Sequence, residues 1–357
     1  YFVIKHRDYL LIERKFDNTH YRLNKEIMYL IDYINQTDSI VTLKLDTGGS
    51  YIWGVTYRSP NSLPTNDFYP NQLLVDDLYN VYVSGSNHFN EGFIIKYDSS
   101  GQLLWEMDDL GHVGDTDVDD MKLSNMGHLT VCGNFYSNSN FKFIYYVNQY
   151  SPDTTLLWSD TVHGSTHASA RKMKFLNDGQ LIVSGYTSDT SNGNVYMAVK
   201  YDTLGNRLWT CKTLNNGTNM ANLGKLDMAV DDTGNVYIAG YDQIFNGKAI
   251  LSRINYDGTQ SWRRDWDVQG GNGDEVFNKI VLDTSGGVYV TGWGIFPGPN
   301  YENTGGIPNQ IVVKYTSSGD SLWTRRPKDT LRVSRGWQLD IFNDRIIASG
   351  TSADIED

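Results

Sequence analysis

One ten-residue pattern recurs along the chain and constrains its fold more than any other feature. It reads Lys-x-Asp-x-x-Gly-x-x-x-Trp in KLDTGGSYIW (44–53), KYDSSGQLLW (96–105) and KYDTLGNRLW (200–209), with a close copy in KYTSSGDSLW (314–323). Looser copies occupy 149–158 and 253–262. The closing tryptophans are 51 to 61 residues apart: Trp53, Trp105, Trp158, Trp209, Trp262 and Trp323. A fixed period of this length predicts a repeat architecture.

A second motif lies between these copies and has the same period. It is a short β-branched run that ends in glycine, as in NVYVSG (80–85) and GVYVTG (287–292). The closing glycines are 48 to 58 residues apart: Gly85, Gly133, Gly185, Gly240, Gly292 and Gly350. The two motifs therefore alternate once per period of about 50 residues.

Each period divides into four short strands. The clearest unit has apolar alternation or β-branched runs at 225–231, 236–241, 249–255 and 261–266, separated by Asp, Gly and Asn. This is the signature of consecutive hairpins. A four-stranded antiparallel unit every 40–60 residues is typical of a β-propeller blade. We therefore predict an all-β propeller.

The count of motifs predicts seven blades in a single domain over 1–357. The expected blades are 1–53, 54–105, 106–158, 159–209, 210–262 and 263–323, with half a blade at 324–357. We expect the remaining half-blade beyond Asp357 or before Tyr1.

Two segments depart from the repeat. Residues 15–38 form an insertion after a first hairpin at 2–14, and KEIMYLIDYIN (25–35) places five apolar residues on a helical stripe. A short helix packed on the propeller rim is the expected structure, with a partner-binding helix as the other possibility. The second departure, 293–310, is rich in Gly, Pro and aromatic residues. Function is often grafted onto such departures.

The repeated residues have structural explanations. The Asp-x-x-Gly segment is the expected turn between third and fourth strands, where glycine adopts a positive φ and aspartate binds its own turn. The tryptophan four residues later is expected to pack against the next blade. Trp337 in RGWQLD (335–340) is an additional aromatic residue on an expected first strand, where core packing is favoured over a contact surface. The expected channel strands differ in charge: ARKMKF (170–175) is basic and VDDMKL (118–123) is acidic.

Composition narrows the class of partner. The formal charge is −12 and the pI is about 5.0. An excess of negative charge disfavours nucleic acid as a binding partner, because it repels the phosphate backbone. No apolar run approaches the roughly 20 residues of a membrane-spanning helix. Cys132 and Cys211 fall in different repeats and are expected to be buried free thiols rather than a disulfide.

No stretch predicts a catalytic, cofactor or metal residue. Asp115, Asp117 and Asp119 have the first spacings of a calcium loop, but Asp120 and Met126 stand where glycine and glutamate are required. His163 and His167 are four apart, yet lie in an inter-strand linker rather than on a helix. The common nucleophile, zinc-protease and nucleotide motifs are absent from the sequence.

The alternation of DxxGNVYVxG with KYDxxGxxLW resembles the SBBP-type repeats of seven-bladed propellers from Bacteroidetes-like bacteria. VDDTGNVYIAG (230–240) and LDTSGGVYVTG (282–292) are the best copies, and the resemblance covers about 39–351. It implies an exported, often cell-surface protein, a possible relation to type IX secretion, and no reaction or cofactor. The Gly-x-x-x-Trp spacing also resembles the tryptophan-docking repeat of quinoprotein dehydrogenases and of the outer-membrane assembly lipoprotein.

Two functional hypotheses follow. The first is a non-enzymatic, exported or cell-surface propeller that binds other proteins through blade-face loops, as a scaffold or as a component or cargo of a secretion or outer-membrane complex. The second is a ligand-binding or polysaccharide-acting propeller, enzymatic or quinone-binding, with its site in the central channel. Fold alone does not choose between them.

Overall fold

The computed structural model describes the greater part of the chain, and all regular structure in that part is β-strand. The described residues are 10–11, 27–33, 40–46, 50–58, 68–87, 91–108, 110–112, 115–189, 193–213, 226–241, 247–268, 275–297, 306–327, 333–342 and 345–353. They divide into two compact units, Tyr1–Val162 and His163–Asp357.

The first unit contains three four-stranded antiparallel sheets, each built from consecutive strands. The first sheet comprises β1 (Leu10–Leu11), β2 (Ile27–Tyr33), β3 (Ile40–Asp46) and β4 (Tyr51–Tyr57). The second comprises β5 (Phe68–Val75), β6 (Val81–Asn87), β7 (Gly92–Tyr97) and β8 (Leu103–Met107). The third comprises β9 (Thr116–Leu123), β10 (Leu129–Ser137), β11 (Lys142–Tyr150) and β12 (Leu156–Val162).

The second unit contains three more such sheets and a two-stranded one. The fourth sheet comprises β13 (Ala168–Phe175), β14 (Leu181–Asp189), β15 (Gly193–Tyr201) and β16 (Arg207–Lys212). The fifth comprises β17 (Leu226–Val230), β18 (Val236–Tyr241), β19 (Ala249–Ile254) and β20 (Gln260–Trp266). The sixth comprises β21 (Val276–Leu282), β22 (Val288–Phe296), β23 (Ile307–Tyr315) and β24 (Ser321–Arg325), and the seventh has only β25 (Val333–Phe342) and β26 (Arg345–Ala353).

The repeat of four-stranded antiparallel sheets confirms the propeller-blade architecture predicted from the two motifs. The middle strands carry the core, because the other strands of the sheet and the adjacent sheets cover them. All six residues of β7 are buried, for example, whereas its outer neighbour β8 begins with two exposed leucines. This burial explains why second and third strands read as continuous apolar runs.

The prediction of a short helix within 25–35 is wrong. Residues Ile27–Tyr33 form β2, which pairs with β3 in antiparallel register from Ile27–Asp46 to Tyr33–Ile40. Its residues Ile27, Met28, Leu30 and Ile31 fit a helical stripe as well as a strand, because a short apolar run does not by itself distinguish the two. β1 belongs to this sheet as well, so the second strand lies within the segment expected to be an insertion. The rest of the proposed insertion lies outside the described residues.

The Asp-x-x-Gly segments form the turns that their pattern predicts. In the second sheet Gly101 N donates to Asp98 O and Asp98 N donates to Gln102 O. The Asp98 side chain accepts from the backbone N–H of Ser100 and Gln102. Gly101 has φ +88°, which is the left-handed region that glycine adopts without strain. The turn between the first two strands of this sheet, β5 and β6, has the same type of hydrogen bond, from Tyr79 N to Asp76 O, and Tyr79 has φ +62°.

A β-bulge recurs opposite the repeated glycine of the second strand. In five sheets the first strand carries one extra residue next to the residue paired with Gly85, Gly133, Gly185, Gly292 or Gly350. The extra residues are Asn71, Asp119, Arg171, Asn278 and Trp337. Bulges redirect side chains and are common beside functional sites.

Candidate functional site

Three first strands of the second unit, β13, β21 and β25, carry bulges, and the unbulged β17 lies between β13 and β21. β13, β17, β21 and β25 lie side by side, each in contact with the next. We use the term "bulge row" for the extra residue of each bulged strand together with the residue that follows the repeated glycine on the paired second strand. Its members are Arg171, Asn278, Trp337, Tyr186, Trp293 and Thr351.

Two tryptophans form the centre of the bulge row. The rings of Trp293 on β22 and Trp337 on β25 meet edge to face, with centroids 5.6 Å apart at 60°. Trp337 Nε1 donates to Thr351 Oγ1 over 3.1 Å. The Arg335 guanidinium lies 5.3 Å from the centroid of the Trp293 ring, within the range of a cation–π interaction. Both tryptophans are half-buried and Arg335 is exposed, so the cluster has an accessible side.

Hydrogen bonds below the tryptophans fix the position of β25. The Asn278 side chain on the bulge of β21 donates to Gly336 O over 2.6 Å. Two residues before Gly336 on β25, Ser334 Oγ accepts a hydrogen bond from the backbone N–H of Gln310 over 3.0 Å. Both bonds join the sixth sheet to the seventh on either side of Arg335. Arg335 is therefore held between two anchored residues, and Trp337 directly follows one of them.

The fourth sheet repeats the pairing of a cation with an aromatic ring. Arg171 Nη2 donates to Tyr186 Oη over 3.0 Å, and the guanidinium lies 5.4 Å from the Tyr186 ring centroid. His167 meets the same ring edge on at 5.7 Å, and burial lowers the pKa of His167. Arginine and aromatic residues are enriched at the energetic centres of protein interfaces. The bulge row thus combines the residue types of a recognition surface.

The flank of this surface belongs to the 293–310 segment that departs from the repeat. The Arg326 guanidinium lies 4.0 Å from the Phe296 ring centroid, and Trp266 meets that ring edge on at 6.4 Å. Arg326 Nη1 also donates to Asn309 Oδ1 over 3.4 Å. Residues 298–305 of the segment lie outside the described residues.

The bulges of the first unit carry amide and acidic groups instead. The extra residue is Asn71 in the second sheet and Asp119 in the third. Asn71 donates to Val118 O on the neighbouring first strand. Asp120 beside the bulge pairs with Lys122 at 2.6 Å. The contrast in charge between 170–175 and 118–123 noted in the sequence therefore lies at equivalent positions of two bulged strands.

The repeated tryptophans lie on the fourth strands and in three cases bind the next sheet. Trp53 Nε1 donates to Ser99 O over 3.0 Å, Trp209 Nε1 to Tyr256 O over 3.0 Å, and Trp262 Nε1 to Ser317 O over 3.1 Å. In each pair the ring packs on the turn glycine of that sheet: Gly101, Gly258 and Gly319, respectively. Trp158 donates to Gln149 within its own sheet. Trp105 and Trp323 meet Tyr82 and Tyr289 edge on.

The repeated glycines are required by the bulges. A Cβ on Gly133, Gly185, Gly292 or Gly350 would overlap a backbone carbonyl oxygen of the first strand, for instance Asp117 O at Gly133. Gly240 is different, because a Cβ there would overlap the Tyr196 hydroxyl. Gly85 pairs with Pro70 beside the bulge of β5. None of these residues belongs to the bulge row itself.

Sequence reasoning missed why tyrosine and lysine accompany the repeat. In the sixth sheet the Asp283 carboxylate accepts from Tyr289 Oη over 2.9 Å and lies 3.6 Å from Lys314 Nζ. Lys314 also lies over the Tyr289 ring at 4.7 Å. The same three positions hold Asp76, Tyr82 and Lys96 in the second sheet. The available signal is the Asp and Tyr six residues apart, followed by the Lys that opens the ten-residue pattern.

This arrangement predicts a pH dependence of stability. Burial raises the pKa of Asp283, but hydrogen bonds from Ser285, Gly287 and Tyr289 outweigh it and lower the pKa from 3.8 to about 2. A depressed folded pKa stabilises the protein above the unfolded value, and this contribution is lost as the pH falls through the folded value. We expect the melting temperature to fall between about pH 4 and pH 2, and to fall less steeply in Asp283→Asn. Asp257→Asn, which removes a turn carboxylate outside such a triad, is the control. If the melting temperature depended on pH equally steeply in Asp257→Asn and Asp283→Asn, this prediction would be contradicted.

In the described part of the chain, no three His, Cys, Asp or Glu side chains converge as metal ligands would. Cys132 and Cys211 are buried and not joined in a disulfide, as predicted, and burial raises the pKa of Cys211 to about 11. His167 contributes to the bulge row through Tyr186. No described helix is long and apolar enough to cross a membrane.

Comparison with known proteins supports the fold. The periplasmic gluconolactonase PpgL of Pseudomonas aeruginosa superimposes with a TM-score of 0.51 at 12% identity, covering 92% of this chain and 95% of that one. An uncharacterised WD repeat-containing protein, L264 of Acanthamoeba polyphaga mimivirus, is 29% identical over 140 residues. That match covers 32% of this chain and only 10% of the viral protein. No family model matches. The fold is an all-β propeller of repeated four-stranded blades.

Proposed function

We propose that this chain is a non-enzymatic, exported or cell-surface propeller that binds another protein and acts as an interaction or scaffold module. The supporting observation is the bulge row, where Trp293, Trp337 and Arg335 form an anchored cluster with an accessible side. Tryptophan and arginine carry a disproportionate share of interface binding energy. Anchoring by Asn278 keeps the entropy lost on binding small.

Export is supported by the resemblance to SBBP-type repeats. That resemblance motivates a location on the surface of a Bacteroidetes-like cell and a role as component or cargo of a secretion complex. Protease treatment of intact source cells tests it. We expect the chain to be degraded without lysis, and full protection until lysis would refute export.

A second candidate function uses the same cluster for a carbohydrate. Half-buried tryptophan rings beside an arginine also suit a sugar with acidic groups, because the rings offer apolar faces and the guanidinium binds carboxylates. This candidate corresponds to the ligand-binding or polysaccharide-acting alternative raised by the sequence.

Native mass spectrometry of the tagged chain isolated from its source distinguishes the two candidates. We expect a stoichiometric protein partner with the wild type and at least about a tenfold loss of it with Trp337→Ala, since hot-spot truncations exceed 1.4 kcal/mol. Tyr51→Ala, which removes an aromatic residue 66% exposed on β4, is the matched control and should retain the partner. A glycan adduct in place of a protein would overturn the proposal in favour of the second candidate.

A further inference from the structure

A cleft of about 180 Å³ lies between the fourth and fifth sheets, at the end where turns join their first and second strands. We call it the turn cleft. Residues 174–178 and 230–234 line it from the two turns, together with Tyr256 from the hairpin between β19 and β20. None of its lining residues belongs to the bulge row. The turn cleft is therefore a separate candidate site.

The Tyr256 side chain departs from the repeat. Tyr256 O accepts a hydrogen bond from the repeated tryptophan of the preceding sheet, as Ser99 O and Ser317 O do. A tyrosine therefore stands where two other sheets have a serine, and it is 45% exposed. The packing of the repeat does not require an aromatic ring at this position.

A second departure lines the turn cleft from the fourth sheet. The backbone hydrogen bonds of its turn place Leu176 at the position that Asp283 has in the sixth sheet. Lys314 lies beside Asp283, whereas its equivalent Lys200 is buried and lies against the Tyr256 ring, with Nζ 3.1 Å from the ring centroid. The departures at 176 and 256 are thus linked through Lys200.

Contacts with three other residues hold Tyr256 in place. Its hydroxyl donates to Gln180 Oε1 over 3.3 Å, and its backbone N–H donates to Asn235 Oδ1 over 3.1 Å. Its carbonyl oxygen accepts from Trp209 Nε1 over 3.0 Å. A ring held in this way loses little conformational entropy when a ligand stacks on it.

Hydrogen-bonding groups line the turn cleft beside the ring, as a binding site for a small polar molecule requires. They belong to Lys174, Asn177, Asp178, Asp231, Asp232 and Thr233. The Asp231 carboxylate is satisfied within its own turn, since Thr233 N and Asn235 N donate to it. Asp232 is exposed and accepts no hydrogen bond from the described part of the chain. Its carboxylate oxygens are therefore available to donors on a ligand.

The charges at the turn cleft favour a neutral ligand. Three carboxylates and one ammonium group line it, those of Asp178, Asp231, Asp232 and Lys174. This negative excess, which the Lys200 ammonium reduces without reversing, disfavours an anion. The same ammonium lies against the aromatic ring and repels a second cation from it. A neutral molecule with hydroxyl groups and an apolar face meets neither obstacle, and a sugar has both features.

We propose that the turn cleft binds a neutral sugar unit, which stacks on the exposed Tyr256 ring and donates hydroxyl hydrogen bonds to Asp232. Asn177 and Lys174 supply further polar groups for the other hydroxyls. This site goes beyond the proposed function and does not depend on it, because the partner protein and the sugar use different residues.

Saturation-transfer difference NMR of the full chain tests this with neutral probes, the methyl glycosides of glucose, galactose, mannose and N-acetylglucosamine. We expect at least one of them to bind with a dissociation constant of about 1 mM, as the binding free energy per atom of such small ligands allows. Methyl glucuronoside should bind more weakly than methyl glucoside, because the turn cleft has an excess of carboxylates. No binding of any neutral probe, or tighter binding of the glucuronoside, would overturn the proposal.

Two substitutions locate the sugar. Tyr256→Ser introduces the serine of the second and sixth sheets and should weaken binding about tenfold, because the stacking surface is lost. Asp232→Ala should weaken binding about tenfold as well, because it removes an ionised hydrogen-bond acceptor. Asp77→Ala, at the same turn position of the second sheet, is the matched control and should leave binding unchanged.

Two results would assign the sugar elsewhere. Wild-type affinity in both Tyr256→Ser and Asp232→Ala would exclude the turn cleft as the site. Binding lost in Trp337→Ala but kept in Tyr256→Ser would place the sugar at the bulge row, as in the second candidate function, and would overturn the proposal.

Discussion

Gly133→Ala is expected to lower the free energy of unfolding by about 3 kcal/mol, the upper range for overpacking a buried site. The added Cβ would overlap the Asp117 carbonyl oxygen, which the bulge of β9 brings against β10. Neither group can yield easily, because both belong to paired backbone. Urea unfolding of the two proteins, compared at equal m values, measures the difference.

Gly127→Ala is the control for this prediction. Gly127 lies in the hairpin between β9 and β10 at φ +76°, but a Cβ there would meet nothing within 4 Å. Alanine at this position would lower the free energy of unfolding by about 1 kcal/mol, because only the left-handed backbone conformation is unfavourable for it. Equal effects of the two substitutions would show that backbone conformation, not the bulge, requires glycine on the second strand.

Trp262→Ala is expected to destabilise the protein by about 3 kcal/mol, the lower range for truncating a packed tryptophan. The ring packs on Gly319, donates from Nε1 to Ser317 O and meets Tyr237 edge on. Its loss removes contacts within the fifth sheet and between the fifth and sixth sheets. Thermal and urea unfolding at the same pH provide the measurement.

Trp262→Phe separates the ring from its hydrogen bond. Phenylalanine keeps an apolar ring over Gly319 and loses the bond to Ser317, so a cost of about 1 kcal/mol is expected. A cost equal to that of alanine would mean that the hydrogen bond, rather than ring packing, joins the two sheets.

Part of the candidate site was visible in the sequence. The sequence marks Trp337 as an extra aromatic residue, and Trp293 begins the second departure from the repeat. Core packing is the role that the sequence favours for Trp337, whereas the structure leaves it half-buried beside an exposed arginine. The sequence could not join these residues, because 44 positions separate them and the bulge that turns Trp337 toward Trp293 has no fixed residue type.

The blade repeat, its period and its turns can be predicted from the amino-acid sequence, because they depend on local interactions that glycine, aspartate and alternating apolar residues encode within a few positions. That Ile27–Tyr33 is a strand follows from its pairing with β3, since periodicity alone does not separate a short apolar run in a strand from one in a helix. Which residues adjoin the bulges is likewise visible only in the folded chain. Those features depend on which strand lies beside which, and neighbouring strands are chosen by packing between segments far apart in the chain.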